Sequence, residues 1–382
     1  MRRVLMLTPT LDRSGAERQL TLLATHLPRD RFDVEVVALV RGGPYEEPLR
    51  RHGVPVTVIS KRHKFSPAAW QALRRLLREK KPDLLHTWLF TANAYGRLAL
   101  PGLPGPRPKV VVCERCVDTW KAAWQKGMDR LLASWTDALV ANARSVADFY
   151  AEIVPALKGR IRVIPNAWAP DSVWEGASVG NARAIPDGER GTADLRTQLG
   201  LSPATRLIGV IGRLAAQKRV RDLIWAFELL RHVVPDVALV IAGDGPQRVR
   251  LEQFVRNVRC ANVFFLGMRD DVPRILPQLT MLWQGSAFEG QSNAVLEAMA
   301  AGVPVVASDI PANRELIQPD RTGWLFPLGD SAALARLTRE LLEQPDRLQQ
   351  VARRAAQYVR QEHSLDAMVA AYVRLYEELT EK

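Results

Sequence analysis

Two acidic residues flank a short polar turn in the stretch FEGQSNAVLEAMAAGVPVVASD of the C-terminal half. Glu289 opens the turn, and Glu297 follows it eight positions later. Two carboxylates at this spacing could work as a general acid–base pair, or they could hold hydroxyl groups of a bound ligand. The elements predicted around the turn favour the second interpretation.

The residues after the turn predict a helix from about 292 to 301, capped by Ser292 or Asn293 and ended by Gly302. The first amides of such a helix have no partner within it, and its end carries roughly +0.5 charge. The turn is therefore suited to an anion such as phosphate. Glu297 lies about one turn inside the helix, where it could accept hydrogen bonds from two vicinal hydroxyls.

Each acid also has a plainer interpretation. Glu297 could be the acid of a capping box, which stands three residues after the cap. It stands five residues after Ser292 and four after Asn293, so only a cap at Ala294 would fit. Glu289 could be a solvated loop charge.

A second anion site is predicted upstream, in IGRLAAQKRV. Arg213 and Lys218 follow a strand and precede a helix, at the edge where open α/β sheets bind ligands. The two cations could clamp a diphosphate, at ~1.5–3 kcal/mol for each charged contact. The alternative is that they are solvated surface residues.

Strand and helix patterns alternate twice along the chain, which predicts two α/β domains with parallel sheets. We expect an N-terminal domain at 1–168, an irregular insert at 169–200 and a C-terminal domain at 201–363. A last helix, at 364–382, is expected to pack back on the N-terminal domain.

Composition is that of a globular enzyme, with 47% hydrophobic and 25% charged residues in 382. No apolar run approaches the ~18 residues of a membrane span, and the first residues lack a signal-peptide core, so we expect a cytoplasmic protein. Cys113 and Cys116 form a CxxC, but a structural zinc needs four ligands, so no metal site is predicted.

Excess positive charge lies in the first half of the chain. Residues 1–165 carry 28 Lys and Arg against 15 Asp and Glu, whereas the remainder carries 25 against 26. Two segments there mix tryptophan with cations, PAAWQALRRLLREKKPD and DTWKAAWQKGMDR. They predict attachment to an anionic membrane surface, on its inner face. The alternative is solvated helix faces with tryptophans in the core.

Several motifs together resemble the retaining glycosyltransferases of family 4, or group 1, which have the GT-B fold. The resemblance lies in GRL followed by Lys218, in AGDG and FLG, and above all in the E-x7-E pattern from Glu289 to Glu297. LDRSGAERQL and PDLLHTWLFTANAYGR resemble the opening of the same family. The similarity covers nearly the whole chain outside residues 170–200.

The resemblance implies two Rossmann-like domains facing across a nucleotide-sugar cleft. It implies that Arg213 and Lys218 bind the donor diphosphate and that Glu297 binds the ribose. Glu289 would contact the transferred sugar. The full implied set is Glu289, Arg213 and Lys218 for catalysis, and Gly15, His86, Gly290, Gln291, Ser292, Asn293, Ala294 and Glu297 for substrate binding.

The implied reaction transfers a hexosyl or N-acetylhexosaminyl group from a UDP- or GDP-sugar, with retention and without a metal or cofactor. Cations and a helix end would stabilise the leaving diphosphate, and the acceptor would attack from the same face. The acceptor would be a lipid-linked or phosphorylated saccharide of cell-surface glycan synthesis.

The chain departs from the family pattern at three points, one of which is Thr280, where an acid is common before the E-x7-E region. Ser14 stands before Gly15 where many relatives have two glycines, and Glu114 and Arg115 stand where many have a histidine. His86 is a candidate polar ligand at a strand end, with a satisfied histidine at the sheet edge as the alternative.

Other classes of protein fit less well. A GT-B nucleotide-sugar epimerase is the nearest enzymatic rival. A nucleic-acid-binding protein would explain the positive charge, but no recognised binding motif is present. A nicotinamide oxidoreductase would need GxGxxG after the first strand, and LTPTLDRSGAE lacks it.

Overall fold

A computed structural model describes residues 1–170 and 194–381. The chain divides into two compact units, Met1–Gly180 with His363–Lys382 and Asn181–Glu362, which we call unit 1 and unit 2. Most of the predicted insert at 169–200 lies outside the described residues.

The described residues form strands and helices in alternation. The strands are β1 (Arg2–Thr10), β2 (Phe32–Arg41), β3 (Val56–Val58), β4 (Leu84–Trp88), β5 (Lys109–Glu114), β6 (Ala138–Ala141), β7 (Ile161–Val163), β8 (Arg206–Ile211), β9 (Val237–Ala242), β10 (Val263–Gly267), β11 (Met281–Gln284), β12 (Val305–Ser308) and β13 (Trp324–Phe326). The helices are α1 (Gly15–His26), α2 (Glu46–Arg51), α3 (Pro67–Lys80), α4 (Leu89–Leu98), α5 (Ala123–Leu131), α6 (Arg144–Ile153), α7 (Leu195–Gln198), α8 (Val220–Arg231), α9 (Arg248–Asn257), α10 (Val272–Ile275), α11 (Asn293–Ala300), α12 (Pro311–Leu316), α13 (Ser331–Leu342), α14 (Pro345–Glu362) and α15 (Leu365–Thr380).

Unit 1 is built on a seven-stranded sheet in the order β3-β2-β1-β4-β5-β6-β7, with every neighbouring pair parallel. Its inner strands are mostly apolar and buried, as is typical of parallel sheets with helices on both faces. The C-terminal helix α15 belongs to this unit. Its Met368, Tyr372 and Tyr376 are buried in one core cluster with Val4 and Met6 of β1.

Unit 2 is built on a six-stranded parallel sheet in the order β10-β9-β8-β11-β12-β13. The strand order reverses between β8 and β11, which pair through Met281 with Ile208 and Leu282 with Gly209. Loops that leave two such strands diverge to opposite faces of the sheet, which opens a crevice at their carboxyl ends. The predicted anion-binding residues follow these two strands.

Helix α3 uses its apolar side for the core of unit 1. Ala69, Leu73 and Leu77 are buried, and the Trp70 indole donates to the Leu98 carbonyl at 3.1 Å. Arg74 stacks on the Trp70 ring at 4.8 Å. The packing of this helix therefore fits the solvated-face alternative, and its contact with a membrane stays a prediction. Within the described residues, no helix is both long and apolar enough to cross a bilayer.

Candidate active site

The site in unit 2 is formed by the two loops that follow β8 and β11. These loops are tied together by hydrogen bonds, because the Ala287 amide donates to the Gln217 carbonyl at 2.8 Å. The Gln217 side-chain amide donates to the Phe288 carbonyl at 2.7 Å. The loop that bears the two cations is thereby fixed against the loop that bears Glu289.

Glu289 is held by a cation from the neighbouring loop. Its carboxylate is buried and forms an ion pair with the Lys218 ammonium, and the Gln217 amide lies 3.5 Å from its second oxygen. The solvated-charge alternative for Glu289 is therefore wrong. Arg213 is exposed, and its guanidinium has no ion pair among residues 1–170 and 194–381. Lys218 thus pairs with Glu289, whereas Arg213 is exposed and can bind an anion.

Helix α11 begins beside this ion pair. Ser292 is its N-cap, with the hydroxyl accepting a hydrogen bond from the Val295 amide at 3.4 Å. The observed cap rules out a cap at Ala294, so Glu297 lies beyond the position of a capping-box acid. Val295 and Leu296 are buried, which anchors the helix, whereas Glu297 is half-buried.

Two glycines shape the neighbouring loops. Gly243 has φ +145°, and a Cβ on it would lie 1.9 Å from the Gly212 carbonyl oxygen. Gly245 has φ +159°, and a Cβ there would lie 2.6 Å from the Leu214 carbonyl oxygen. The AGDG motif is therefore needed for close approach of the loops after β8 and β9. That contact supports the loop that carries Arg213.

The predicted residues divide between the units. Unit 2 brings together Arg213, Lys218, Glu289, Gly290, Gln291, Ser292, Asn293, Ala294 and Glu297 at its switch point. Gly15 and His86 belong to unit 1, where Gly15 begins α1 after β1 and His86 lies in the middle of the adjacent strand β4.

Gly15 is the first residue of α1, beside an acid that the sequence interpretation missed. The carboxylate of Glu17 accepts hydrogen bonds from the hydroxyls of Ser14 and, at 3.1 Å, Thr10. Burial raises the pKa of Glu17 to about 7. The S-x-x-E spacing from Ser14 to Glu17 was the available indication.

His86 is enclosed in an aromatic cluster. Its Nδ1 lies 2.6 Å from the Tyr376 hydroxyl of α15, and its ring lies 5.0 Å from that of Trp88. Burial, reinforced by Arg115, lowers the pKa of His86 to about 3. His86 is therefore a buried histidine within the sheet and not the satisfied sheet-edge histidine of the stated alternative, because its Nε2 has no hydrogen-bond partner among the described residues. Its role as a ligand residue stays a prediction.

A second group missed by the sequence interpretation lies beyond β5. The Lys121 ammonium is buried and lies 2.9 Å from Asp129, 3.3 Å from Glu114 and 3.5 Å from Asp118. It also donates to the Tyr150 hydroxyl at 2.7 Å. Burial acts to lower the pKa of Lys121, but these carboxylates outweigh it and hold the pKa above its usual value. We call these five residues the Lys121 network.

Arg115 is likewise engaged inside unit 1. It donates to the Asn166 side chain and lies over the Trp88 ring at 4.8 Å. Neither Glu114 nor Arg115 presents its charge to solvent, so neither stands in for the histidine of relatives as an open ligand contact.

Two parallel-sheet, Rossmann-like units and a helix end at a switch point are the features of the GT-B class of glycosyltransferases. Comparison with known proteins agrees. Residues 13–171 match the model described as Glycosyltransferase Family 4, and residues 205–344 match Glycosyl transferases group 1. The chain belongs to this family, glycosyltransferase family 4, also called group 1.

Two individual proteins illustrate the similarity. N-acetyl-alpha-D-glucosaminyl L-malate synthase of Bacillus anthracis is 29% identical over 189 residues, a match that spans 49% of each chain. UDP-Gal:alpha-D-GlcNAc-diphosphoundecaprenol alpha-1,3-galactosyltransferase of Escherichia coli is 25% identical, over 83% of this chain and 82% of that one.

A solved structure shows the same fold over the full length. Anabaena Alr3699/HepE in complex with UDP and glucose has a TM-score of 0.83, covers 99% of this chain and 100% of its own, and is 20% identical. The GT-B fold is thereby confirmed.

Proposed function

We propose that this protein is a retaining glycosyltransferase that moves a sugar from a nucleotide-diphosphate sugar to a saccharide acceptor. The observation that carries the proposal is that the Lys218–Glu289 ion pair lies next to the start of α11, with the exposed Arg213 on the same loop as Lys218. The transferred group is a hexosyl or N-acetylhexosaminyl unit, and the donor is a UDP- or GDP-sugar. No cofactor is needed, because these cations and the helix end meet the charge of the diphosphate.

In the proposed step, the bond between the anomeric carbon and the diphosphate oxygen breaks, and its electron pair stays on that oxygen. Arg213, Lys218 and the first amides of α11 stabilise the developing negative charge. Glu289 stabilises the positive charge on the sugar, and Glu297 holds the ribose hydroxyls. The acceptor oxygen then bonds to the anomeric carbon from the same face, and its proton passes to the departing phosphate.

The proposed acceptor is a lipid-linked or phosphorylated saccharide of cell-surface glycan synthesis. The E. coli relative is named for a diphosphoundecaprenol acceptor. The positive charge of residues 1–165 suits a phosphorylated acceptor and an anionic membrane. We place the enzyme in the cytoplasm, attached peripherally to the inner face of the membrane.

The test is incubation of the protein with UDP- and GDP-sugars, with and without saccharide acceptors, and assignment of the product anomer by NMR. A product with the donor's anomeric configuration is expected, and inversion contradicts retention. An epimerised nucleotide sugar formed without acceptor would identify the epimerase instead.

Two substitutions divide the roles of the acids. Glu297→Ala is expected to weaken donor binding at least about tenfold, since hydrogen bonds to a charged group contribute ~1.5–3 kcal/mol. Glu289→Gln is expected to retain donor binding and to lose transfer. Unchanged turnover in both variants would refute the site.

A further inference from the structure

Helix α5 of unit 1 turns an acidic side chain inward and large apolar side chains outward. Asp129 is buried and accepts from Arg97 and Lys121, both at 2.9 Å. Trp124 and Leu131, by contrast, are 58% and 71% exposed. Surface helices normally show the reverse arrangement, with the apolar stripe against the core.

Trp120 extends this surface on the loop before the helix and is 57% exposed. Trp124 and Leu131 lie two turns apart on one side of α5, and half-buried Met128 lies between them. Together we call Trp120, Trp124 and Leu131 the α5 face.

The Lys121 network explains why these side chains stay outside. Ion pairs and hydrogen bonds to Lys121 and Asp129 hold the helix against unit 1, so burial of its apolar side is not what fixes it. Trp124 packs edge-on against Phe90, with the ring centroids 5.7 Å apart. The Trp120 indole donates to Asp118 at 3.1 Å, which orients it. The apolar groups are thus presented on a rigid support.

Charge on this segment has one sign at the surface. Residues 120–131 contain a single acid, Asp129, and it is buried. Lys126 and Arg130 of the same helix reach the surface. Tryptophan and leucine beside cations suit the boundary between the headgroups and acyl chains of an anionic bilayer. An acidic protein surface would use the cations but leave the tryptophans without a matching apolar partner.

We propose that the α5 face docks on an anionic lipid bilayer, with Trp120, Trp124 and Leu131 entering the interface and Lys126 and Arg130 facing the lipid phosphates. The inference rests on the proposed function for its purpose, which is to bring the enzyme to a lipid-linked acceptor. It replaces the two-segment membrane contact expected from the sequence by one surface, since α3 buries its apolar side.

The test is co-sedimentation of the full chain with vesicles of phosphatidylcholine alone and of phosphatidylcholine mixed with phosphatidylglycerol. The wild type should bind the mixed vesicles preferentially. The double variant Trp124→Gln/Leu131→Gln should lose at least about tenfold in partitioning, because an interfacial tryptophan and leucine bury large apolar area. Lys126→Gln should lose about fivefold.

The matched control is Trp225→Gln, which replaces a 44% exposed tryptophan of unit 2 and should leave partitioning unchanged. Circular dichroism of each variant reports folding. The proposal is overturned if the wild type binds neither vesicle, binds both equally, or if the double variant binds like the wild type. It is also overturned if sedimentation velocity shows a wild-type dimer that the double substitution disperses, because the face then joins two copies.

A lipid-free arm separates this proposal from the proposed function. Calorimetric titration with UDP- and GDP-sugars should give the same dissociation constant for the wild type and the double variant. If no donor binds but vesicle binding depends on the α5 face, the proposed function fails and the docking surface stands. If donor binding is intact and the vesicle result is negative, only the docking surface fails.

Discussion

The two sheets each gather charged side chains just beyond their strand ends, and the two groups are built in opposite ways. Beyond β5 in unit 1, Lys121 is buried and surrounded by three carboxylates and a phenol. Beyond β8 and β11 in unit 2, Arg213 is exposed, and the Lys218–Glu289 pair lies beside the start of α11. The first group satisfies its charges within the protein, whereas the second leaves charge available to a ligand.

The contrast teaches that a charged loop at the carboxyl edge of a parallel sheet is not by itself a ligand site. A closed network stabilises the fold only while all its members are present, since removal of one leaves the others buried without a partner. An open pair contributes less to stability but can bind an anion strongly. Substitutions should therefore separate stability from binding between the two units.

The largest effect is expected from Lys121→Met. The substitution leaves Glu114 and Asp118 buried without this cation, whereas Asp129 keeps Arg97, so the free energy of unfolding should fall by about 3–5 kcal/mol. Urea denaturation measures it. The control is Lys218→Met, which should lower the free energy of unfolding by only about 1 kcal/mol because its pair is partly exposed. Equal losses in the two variants would remove the distinction between closed and open groups.

The next effect concerns Glu17, an acid of unit 1 that forms no ion pair like that of Glu289 within residues 1–170 and 194–381. Its pKa is raised by burial from the ordinary 4.5 to about 7. The folded chain therefore holds this proton more tightly than the unfolded chain, and the free energy of unfolding falls as pH rises from about 4.5 through about 7.

Glu17→Gln should remove this fall. At ~1.36 kcal/mol per pKa unit, the wild type should lose up to about 3 kcal/mol relative to the variant between pH 4.5 and 8. Other buried acids, including Glu114, are common to both proteins and cancel in the difference. Parallel pH profiles for the two proteins, measured by urea denaturation, would show that Glu17 does not titrate in this range.

The smallest effect is expected from Ser292→Ala. The cap hydrogen bond to the Val295 amide is lost, which should cost about 1 kcal/mol in the free energy of unfolding. Donor binding should weaken as well, because the helix end frays. Ser14→Ala provides the comparison in unit 1, where the hydroxyl binds Glu17 and makes no cap hydrogen bond. Loss of donor affinity in Ser14→Ala alone would reverse the assignment of the site to unit 2.

Much of the fold and site followed from local pattern. Alternating strands and helices predicted parallel sheets, and the capping residues predicted a helix at 292–301 where α11 runs from Asn293 to Ala300. The cations of GRLAAQK were placed correctly because loops after parallel strands emerge at one edge of the sheet.

What the sequence could not predict depends on distant contacts. His86 was expected at a strand end but lies in the middle of β4, where Tyr376, a residue 290 positions away, helps to bury it. The partners of Lys121 come from a strand, a loop and two helices, which no local spacing reveals. The sequence showed tryptophan and cations together in DTWKAAWQKGMDR, but only the packing shows that Trp124 and Leu131 of α5 face outward.

The central claim is that Arg213 and Lys218 of unit 2 bind the diphosphate of a nucleotide sugar. Calorimetric titration of UDP and GDP into the wild type, Arg213→Ala/Lys218→Ala and the control Arg221→Ala tests it most directly. Each charged contact should contribute ~1.5–3 kcal/mol, so the double variant should bind at least about 100-fold more weakly than the wild type. The control removes a cation that stacks on Phe254 and should bind normally. Dissociation constants equal within about twofold in the wild type and the double variant would contradict the account.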